Sequence, residues 1–398
     1  MLWDVKALQM DKRKTRNRIC IIGIIWIMVN MVSFNSYAKA SFSKSQPLGI
    51  MSTAVKKEIA VSWEAVKGAD GYEVYEAVET DCDSQEESQL DDLDEKEKQA
   101  GSYYLVRSVK KSKVILKGKQ PGKVYSYYVR AYQIKSNGKK SYSRASKKVS
   151  TTVAAKGIST VKNLLQTAIA PIGSTMYVWG GGWNKADTGA GKDARRIGLS
   201  PAWRAFAKNK KSSYNYKKYR YQIHDGLDCS GYVGWCVYNV LNTKNDKKGY
   251  VYSASSQAKK YAASGFGSYR SAKKIKDYRA GDVMSSTCKC CGHVWIVIGQ
   301  CRDGSVVLVH SSPAGVQLSG TTTPSGKKNS KAYKLAKKYM KKYYKIWYKK
   351  YPNVSRGKTY LSHYGQMRWR TSGKNIYLSD PDGYQNMSAE EVLADLFP

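Results

Sequence analysis

Four histidines in 398 residues, His224, His293, His310 and His363, make a search for a cysteine and histidine pairing nearly exhaustive. Cys229 follows Leu227-Asp228 and opens Cys229-Ser-Gly-Tyr-Val233-Gly-Trp-Cys236-Val237-Tyr-Asn-Val240-Leu241, whose apolar steps fit one face of a helix. A sulfur at a helix start sits at the positive end of the helix dipole, which favours thiolate. The same start offers the Cys229 N–H to a developing oxyanion, so one position can supply nucleophile and electrostatic stabilisation. His293 begins one strand-like run and His310 ends the next, with a polar turn between Gly299 and Gly304. A hairpin loop of about four residues there sets the two imidazoles opposite, or nearly so, on adjacent strands. One ring can then deprotonate the thiol and later protonate a leaving amine, while the other fixes its tautomer. A buried structural cysteine is the competing reading of Cys229, and the flanking Asp228, Ser230 and Gly231 argue against it. Cys236 fits that structural role, as do His224 and His363, although His224 lies four residues from Asp228 and borders the cleft.

The elements that must hold these residues are legible in the same stretch. Beyond Gly281 the chain turns to strands at 282–285, 293–298, 305–310, 315–318 and 364–369, so a helix followed by an antiparallel sheet predicts an α+β domain over 158–398. A short helix pattern (Val161, Leu164, Leu165, Ala168) precedes it and stops at Pro171, and Ser388 with Glu391 has the spacing of a capping box. Residues 183–222 are polar and weakly patterned, which suggests a long surface excursion carrying Trp183, Trp203 and Phe206. Upstream, Ile59 to Trp63, Gly71 to Tyr75, Tyr103 to Val109 and Val124 to Tyr132 give short alternating strands between Gly, Pro and Lys turns, an all-β sandwich. Residues 79–98 interrupt it with an acidic insertion that reads as a solvated loop, with a calcium site or a docking strip as sharper alternatives.

Composition bounds what such a chain can meet. Hydrophobic residues make up 42%, with 10 Trp and 32 Tyr, which excludes a wholly disordered chain. The net charge is +38, distributed as +5, +6 and +27 over residues 1–40, 41–157 and 158–398, so the C-terminal part faces the polyanion. Lys12 to Arg18, an apolar run from Ile19 to Val32, and Ala38-Lys39-Ala40 predict a secretory signal cleaved after Ala40, with an uncleaved anchor as the alternative. Seven cysteines remain after that cleavage, an odd number that leaves a free thiol outside the cell or an intermolecular bond. Cys288-Lys-Cys290-Cys291-Gly-His293 suggests disulfides with Cys301, and with Cys236 or Cys82, more than zinc, because recruiting His293 as a ligand would disable it as a base. Lys327 to Lys350 holds 11 Lys and no acids at the spacing of an amphipathic helix, packed on the domain or adhering to teichoic acid or anionic lipid. The charge suits nucleic acid as well, but no nucleic-acid motif accompanies it.

Two resemblances gather these residues. Residues 50–153 resemble a fibronectin type III domain: Trp63 sits at the core position of the second strand, and Tyr125-x-Tyr127-x-Val129-x-Ala131 matches the sixth. Tyr177-Val-Trp179-Gly180-Gly181, Leu227-Asp228-Cys229-Ser230-Gly231-Tyr232, Gly281-Asp282-Val283, Gly292-His293-Val294-Trp295 through Gly299, and Val309-His310 resemble the NlpC/p60 family of bacterial cell-wall cysteine peptidases, in chain order over 158–370. The expected architecture is therefore multi-domain, an all-β fibronectin type III sandwich followed by an α+β papain-like domain. The resemblance implies a secreted, cell-wall-associated hydrolase without a cofactor or metal, cleaving peptidoglycan stem peptides after γ-linked D-glutamate. It further implies Cys229 as nucleophile, His293 as base and acid, and His310 as third polar residue. Tyr177 would line the oxyanion and substrate site, and Asp228 with Ser230 would hold the free amine of the stem. Insertions at 183–222 and 320–358 depart from the family pattern. An amidase or acyl transferase on the same fold, and a wall-binding protein with a closed cleft, are the alternatives.

Overall fold

The computed structural model describes residues 42–55, 57–79, 103–153, 158–241, 248–287 and 292–397. The signal stretch, nearly all of the acidic insertion, and Cys20, Cys82, Cys288, Cys290 and Cys291 lie outside them. The chain divides into Met1–Ser45 and Gln46–Pro398, and the strands and α-helices lie in the second unit.

Strands β1 (Met51–Val55), β2 (Glu58–Ser62), β3 (Gly71–Glu79), β4 (Tyr104–Val109), β5 (Lys113–Leu116), β6 (Val124–Ile134), β7 (Lys140–Tyr142) and β8 (Val149–Thr152) form the first layer pair. One sheet runs β1-β2-β5, the other β4-β3-β6-β7, with β8 also on β6 and all pairings antiparallel. The period of two decides which residues enter the core: Tyr125, Tyr127, Val129 and Ala131 are buried along β6, and Trp63 packs edge-on to Tyr72 with ring centroids 5.3 Å apart.

The second part begins with β9 (Ser159–Thr160), α1 (Val161–Ile169) and α2 (Pro201–Lys208), then α3 (Cys229–Leu241) and α4 (Gln257–Ala263). Its sheet is built from β10 (Gly267–Arg270), β11 (Val283–Ser286), β12 (Val294–Gln300), β13 (Val306–Ser312), β14 (Gly315–Thr321), β15 (Ser355–Arg356) and β16 (Tyr364–Trp369). The order is β10-β16-β11-β12-β13-β14-β15, antiparallel except where β15 runs parallel to β14. A short β17 (Leu378–Ser379) pairs β9. Apolar residues on every side of α3 explain its place: Cys229 through Val240 are all buried, with the helix lying between α1 and strands β12 and β13.

Three sequence expectations change. The 183–222 segment is not simply a surface excursion, because Trp203 on α2 is fully buried and packs edge-on to Trp235 of α3 at 5.7 Å. The Lys-rich stretch forms two helices rather than one, α5 (Lys331–Tyr343, capped by Ser330) and α6 (Lys345–Lys350), breaking at Tyr344. Its apolar stripe, Ala332, Ala336, Met340 and Trp347, is buried, and α5 lies on β14. Cys236 and Cys301 are free, so neither joins a disulfide. The remaining elements, α7 (Thr359–Ser362) and α8 (Ala389–Leu396), follow, and Ser388 and Glu391 form the capping box.

The sandwich and the α+β part share a core. Met51 of β1 belongs to the same apolar cluster as Val161, Leu165 and Trp235, while Ala60 of β2 clusters with Ile197 and Tyr238. Gly198 turns at φ +82° directly beneath β2, where any Cβ would strike the Ser62 hydroxyl. Arg204 Nε meets Glu64 Oε1 at 2.6 Å across the same boundary. At the centre sits Asn163 on α1, fully buried. It donates to the Thr152 carbonyl at 2.9 Å and Ser159 Oγ at 3.3 Å, and accepts from Thr151 Oγ1 at 2.8 Å and the Thr152 N–H at 3.3 Å. Asn163→Ala strands these β8 groups away from water, so we expect a loss of about 1–3 kcal/mol in urea unfolding. A change within error would show that β8 is held by something else.

Candidate active site

Cys229 is the first residue of α3 and its carboxylate neighbour is the cap. Asp228 Oδ1 accepts the Gly231 N–H at 2.7 Å and the Ser230 hydroxyl at 2.9 Å, and Oδ2 faces the Gly180 N–H at 3.3 Å. Ser230 Oγ in turn accepts from Trp183 Nε1 at 3.0 Å. These contacts clamp the Trp179–Gly182 loop onto the helix start. Gly182, at φ +91°, lets the loop come so close to Gly231 that a Cβ would lie 2.6 Å from its Cα. The Asp228 N–H also reaches Gly181 O at 2.9 Å, and Ser311 Oγ donates to Leu227 O at 2.7 Å, which ties the approach to Cys229 to the end of β13.

The Cys229 sulfur lies near the start of β12, where the N–H of Val294, the residue after His293, favours its thiolate form. The expectation of a resting thiolate is corrected: Cys229 is only 5% exposed, and burial together with the Asp228 carboxylate pushes the thiol up to about 12, outweighing the helix start. The resting sulfur is neutral.

His293 Nε2 and His310 Nδ1 are 2.8 Å apart. The rings do not sit directly opposite. Ile296 faces Val309 and Val297 faces Leu308, a register that sets His310 two residues along from the position facing His293, so the pair is diagonal on one face. A bulge between Val297 and Gly299 shifts the register further along, at the hairpin end. Burial, followed by the Arg356 cation, holds His293 down at about 3, and burial, Arg356 and His293 together hold His310 well below the ordinary histidine range. His310 is fully buried, and its Nε2 lies 3.1 Å from Ser319 Oγ and 3.2 and 3.1 Å from Nε and Nη2 of Arg356. Tyr360 and Tyr364 complete the wall, with ring centroids 5.8 and 6.5 Å from His293.

Tyr177 is buried on the other side, and its phenol is raised chiefly by burial and next by Cys229. The 183–222 insertion builds the rim above it. Tyr216 packs edge-on to Tyr177 at 5.4 Å and stacks on Trp179, which is 40% exposed and carries Arg220 over its face at 4.7 Å. A cavity of about 500 Å³ opens beside this loop, lined by Gly180, Trp183, Tyr221, His224 and Asp225 among others, with His224 Nδ1 on Asp193 at 2.5 Å. His363 stands apart, exposed and bonded to Ser362.

No family model matches the chain, and no curated protein matches it in sequence. Among solved structures, part of the chain is similar to fibronectin type III domains. The fn3 domain of the human collagen alpha-1(XX) chain is 18% identical, covering 31% of this chain and 99% of its own at a TM-score of 0.21. An Fn3-like protein from Clostridium thermocellum is 18% identical, covering 26% and 90% at 0.18. The third fibronectin III domain of human KIAA0343 is 14% identical, covering 30% and 90% at 0.22. The sandwich stands on the two antiparallel sheets described above.

The structure thus brings Cys229, His293, His310, Tyr177, Asp228 and Ser230 into one place, with Asp228 and Ser230 bonded into the helix cap. Sequence reasoning missed Arg356, Ser319, Tyr360 and Tyr364. No motif flags them, since Arg356 arrives 46 residues after His310 at the end of a Lys-rich insertion. A short β-prone Asn353-Val-Ser-Arg356 after the helices is the one signal that could have suggested another strand beside β14.

Proposed function

We propose that the protein is a secreted bacterial peptidoglycan hydrolase, a cysteine endopeptidase of the NlpC/p60 type joined to a fibronectin type III-like spacer. The observation that carries this reading is a free cysteine at a helix start, near the opening of the strand that follows His293, with His293 Nε2 2.8 Å from His310 Nδ1. Because the resting thiol is neutral, proton transfer accompanies attack rather than preceding it. His293 takes the Cys229 proton as the sulfur adds to a stem-peptide carbonyl, and the Cys229 N–H receives the developing oxyanion. His293 returns the proton to the leaving amine, and the acyl-enzyme is released when His293 deprotonates a water. His310 holds the His293 ring in orientation, and Tyr177 lines the acyl side. Asp228 and Ser230 shape the amine end of the cleft through the Gly180 loop and Trp183, whose far side faces the 500 Å³ cavity.

Digestion of purified muropeptides, with products identified by mass spectrometry, tests this reading. Cleavage after γ-D-glutamate supports it, a released sugar-linked amide would make the enzyme an amidase, and binding to sacculi without any product would leave a wall-binding protein.

The charge predicts a second behaviour. Raising ionic strength from about 0.01 M to about 0.15 M shortens the Debye length from about 30 Å to about 8 Å. Digestion of intact, teichoic-acid-bearing sacculi should slow several-fold over that range, whereas turnover of small muropeptides should change little. Equal salt sensitivity of both substrates would locate the effect in the cleft and not in wall adhesion.

A further inference from the structure

We propose that Arg356 is a positioning residue that holds the His293–His310 pair in the tautomer unable to take a proton from Cys229, so that the resting enzyme is restrained by its own C-terminal insertion. This rests on the reading of Cys229 and His293 as nucleophile and base, and it adds to that reading a residue outside the motif.

A guanidinium has five N–H donors, no acceptor and no accessible deprotonated form. Arg356 aims two of its nitrogens at the same atom, His310 Nε2, at 3.2 and 3.1 Å. That nitrogen must therefore present its lone pair, and the single proton of the neutral ring lies on Nδ1. His310 Nδ1 is the atom 2.8 Å from His293 Nε2, so the N–H is donated to His293, whose own proton is left on Nδ1. Nδ1 is the only His293 nitrogen still available to a thiol, and it is already occupied.

Withdrawal of the guanidinium reverses the chain. Ser319 Oγ, 3.1 Å from His310 Nε2, is in place to accept a hydrogen bond from an N–H there. His310 Nδ1 then accepts from His293 Nε2–H, and His293 Nδ1 becomes a base. Protons balance: the shared one crosses from His310 Nδ1 to His293 Nε2, His293 Nδ1 releases one to solvent, and His310 Nε2 takes one from solvent.

Arg356 is held firmly enough to act this way. Its strand pairs β14 through Thr321, and its carbonyl accepts the Thr322 N–H at 2.8 Å. Its Nη1 donates to Ser355 O at 2.7 Å and reaches Asn353 O at 3.4 Å, and its Nη2 reaches Ser312 Oγ at 3.4 Å. Among the described residues no Asp or Glu pairs with it, so its charge is directed at the ring and not at a carboxylate.

The groups facing the pair are Arg356, Ser312 and Ser319, with Tyr360 and Tyr364, whose phenols burial raises above 10. Asp228, which burial raises to about 6, and Tyr177 face the thiol. A comparison of variants at one site cancels the Asp228 contribution.

Alkylation of Cys229 by iodoacetamide, followed by peptide mass mapping across pH 5 to 9 on the full chain, reads the restraint without requiring turnover. In the native protein the rate should climb with pH as an ordinary raised thiol does. Arg356→Ala should react at least about tenfold faster at pH 6, as expected when an imidazole can take the proton while the sulfur attacks. Arg356→Lys, which keeps a cationic donor, should retain the native profile. A native profile in the alanine variant, or an alanine-like profile in the lysine variant, would overturn the proposal. Should Arg356→Ala fail to fold, ring-nitrogen NMR of the native protein decides instead: the proton must sit on His310 Nδ1, and finding it on Nε2 ends the idea. Altered alkylation without any muropeptide cleavage would sink the peptidase reading alone, whereas cleavage with unaltered alkylation would sink only the role of Arg356.

Discussion

On the proposed mechanism, Cys229→Ala should lower muropeptide turnover by about 10⁴-fold or more, as expected for removing the nucleophile from covalent catalysis. The fall is this large because no neighbour can substitute. The adjacent Ser230 hydroxyl is committed, donating to Asp228 and accepting from Trp183. Cys236 is buried two turns further along α3, its thiol pushed above the ordinary range by burial, and Cys301 lies just past the end of β12. The substitution removes one sulfur from a site that is only 5% exposed, so folding should survive, and sacculus binding serves as the control. Cys229→Ser should be nearly as damaging, since an imidazole held near pKa 3 is a weak base for an alcohol. Turnover above about 1% of native in the alanine variant, with the same product, would remove Cys229 from the mechanism.

Asp282→Ala is the second large effect, and it acts on stability. Asp282 is fully buried at the start of β11 and takes Arg368 at 2.9 and 3.1 Å, Gln366 Nε2 at 2.7 Å and the Arg279 N–H at 2.8 Å. Arg368 spans it and Asp277, which binds the same guanidinium at 2.9 Å. Truncation leaves a half-compensated, largely buried Arg368 cation and takes one of the two acceptors from the Gln366 amide, which keeps the Asp277 carbonyl at 2.7 Å, a cost of about 3–5 kcal/mol. The Asp282 carbonyl accepts the Val297 N–H at 2.9 Å, so the disturbance reaches β12, the strand behind His293. Urea unfolding should show a loss several-fold larger than for Asp282→Asn, which keeps one acceptor. Equal losses would mean that shape, and not charge, holds this corner.

Much of the site was legible because its determinants are local. Leu227-Asp228-Cys229 carries its own helix start, and the alternation around Val294 to Ile298 and Val306 to Val309 sets the strands that bear the two histidines. Trp203 was misplaced because it is one buried residue on a two-turn helix inside a polar, Lys-rich stretch, too short for periodicity to register. The bulge in β12 moves the register by one residue, a matter of hydrogen bonding that hydrophobic pattern does not encode. Arg356 reaches His310 only because β15 joins the sheet edge in parallel, a long-range pairing with no local signal. The interleaving of the two halves through Asn163 and Met51 was equally silent, since each residue looks like an ordinary member of its own element.

That interleaving has an evolutionary reading. Sandwich modules are commonly exchanged between proteins as cassettes, carried on linkers that tolerate any neighbour. A module whose first strand supplies Met51 to its neighbour's interior, and whose last strand is fastened by Asn163, has given up that portability. Moving either half alone would expose the other's core, so a substitution at Ser62 bears on Gly198, and one at Glu64 on Arg204, across the boundary.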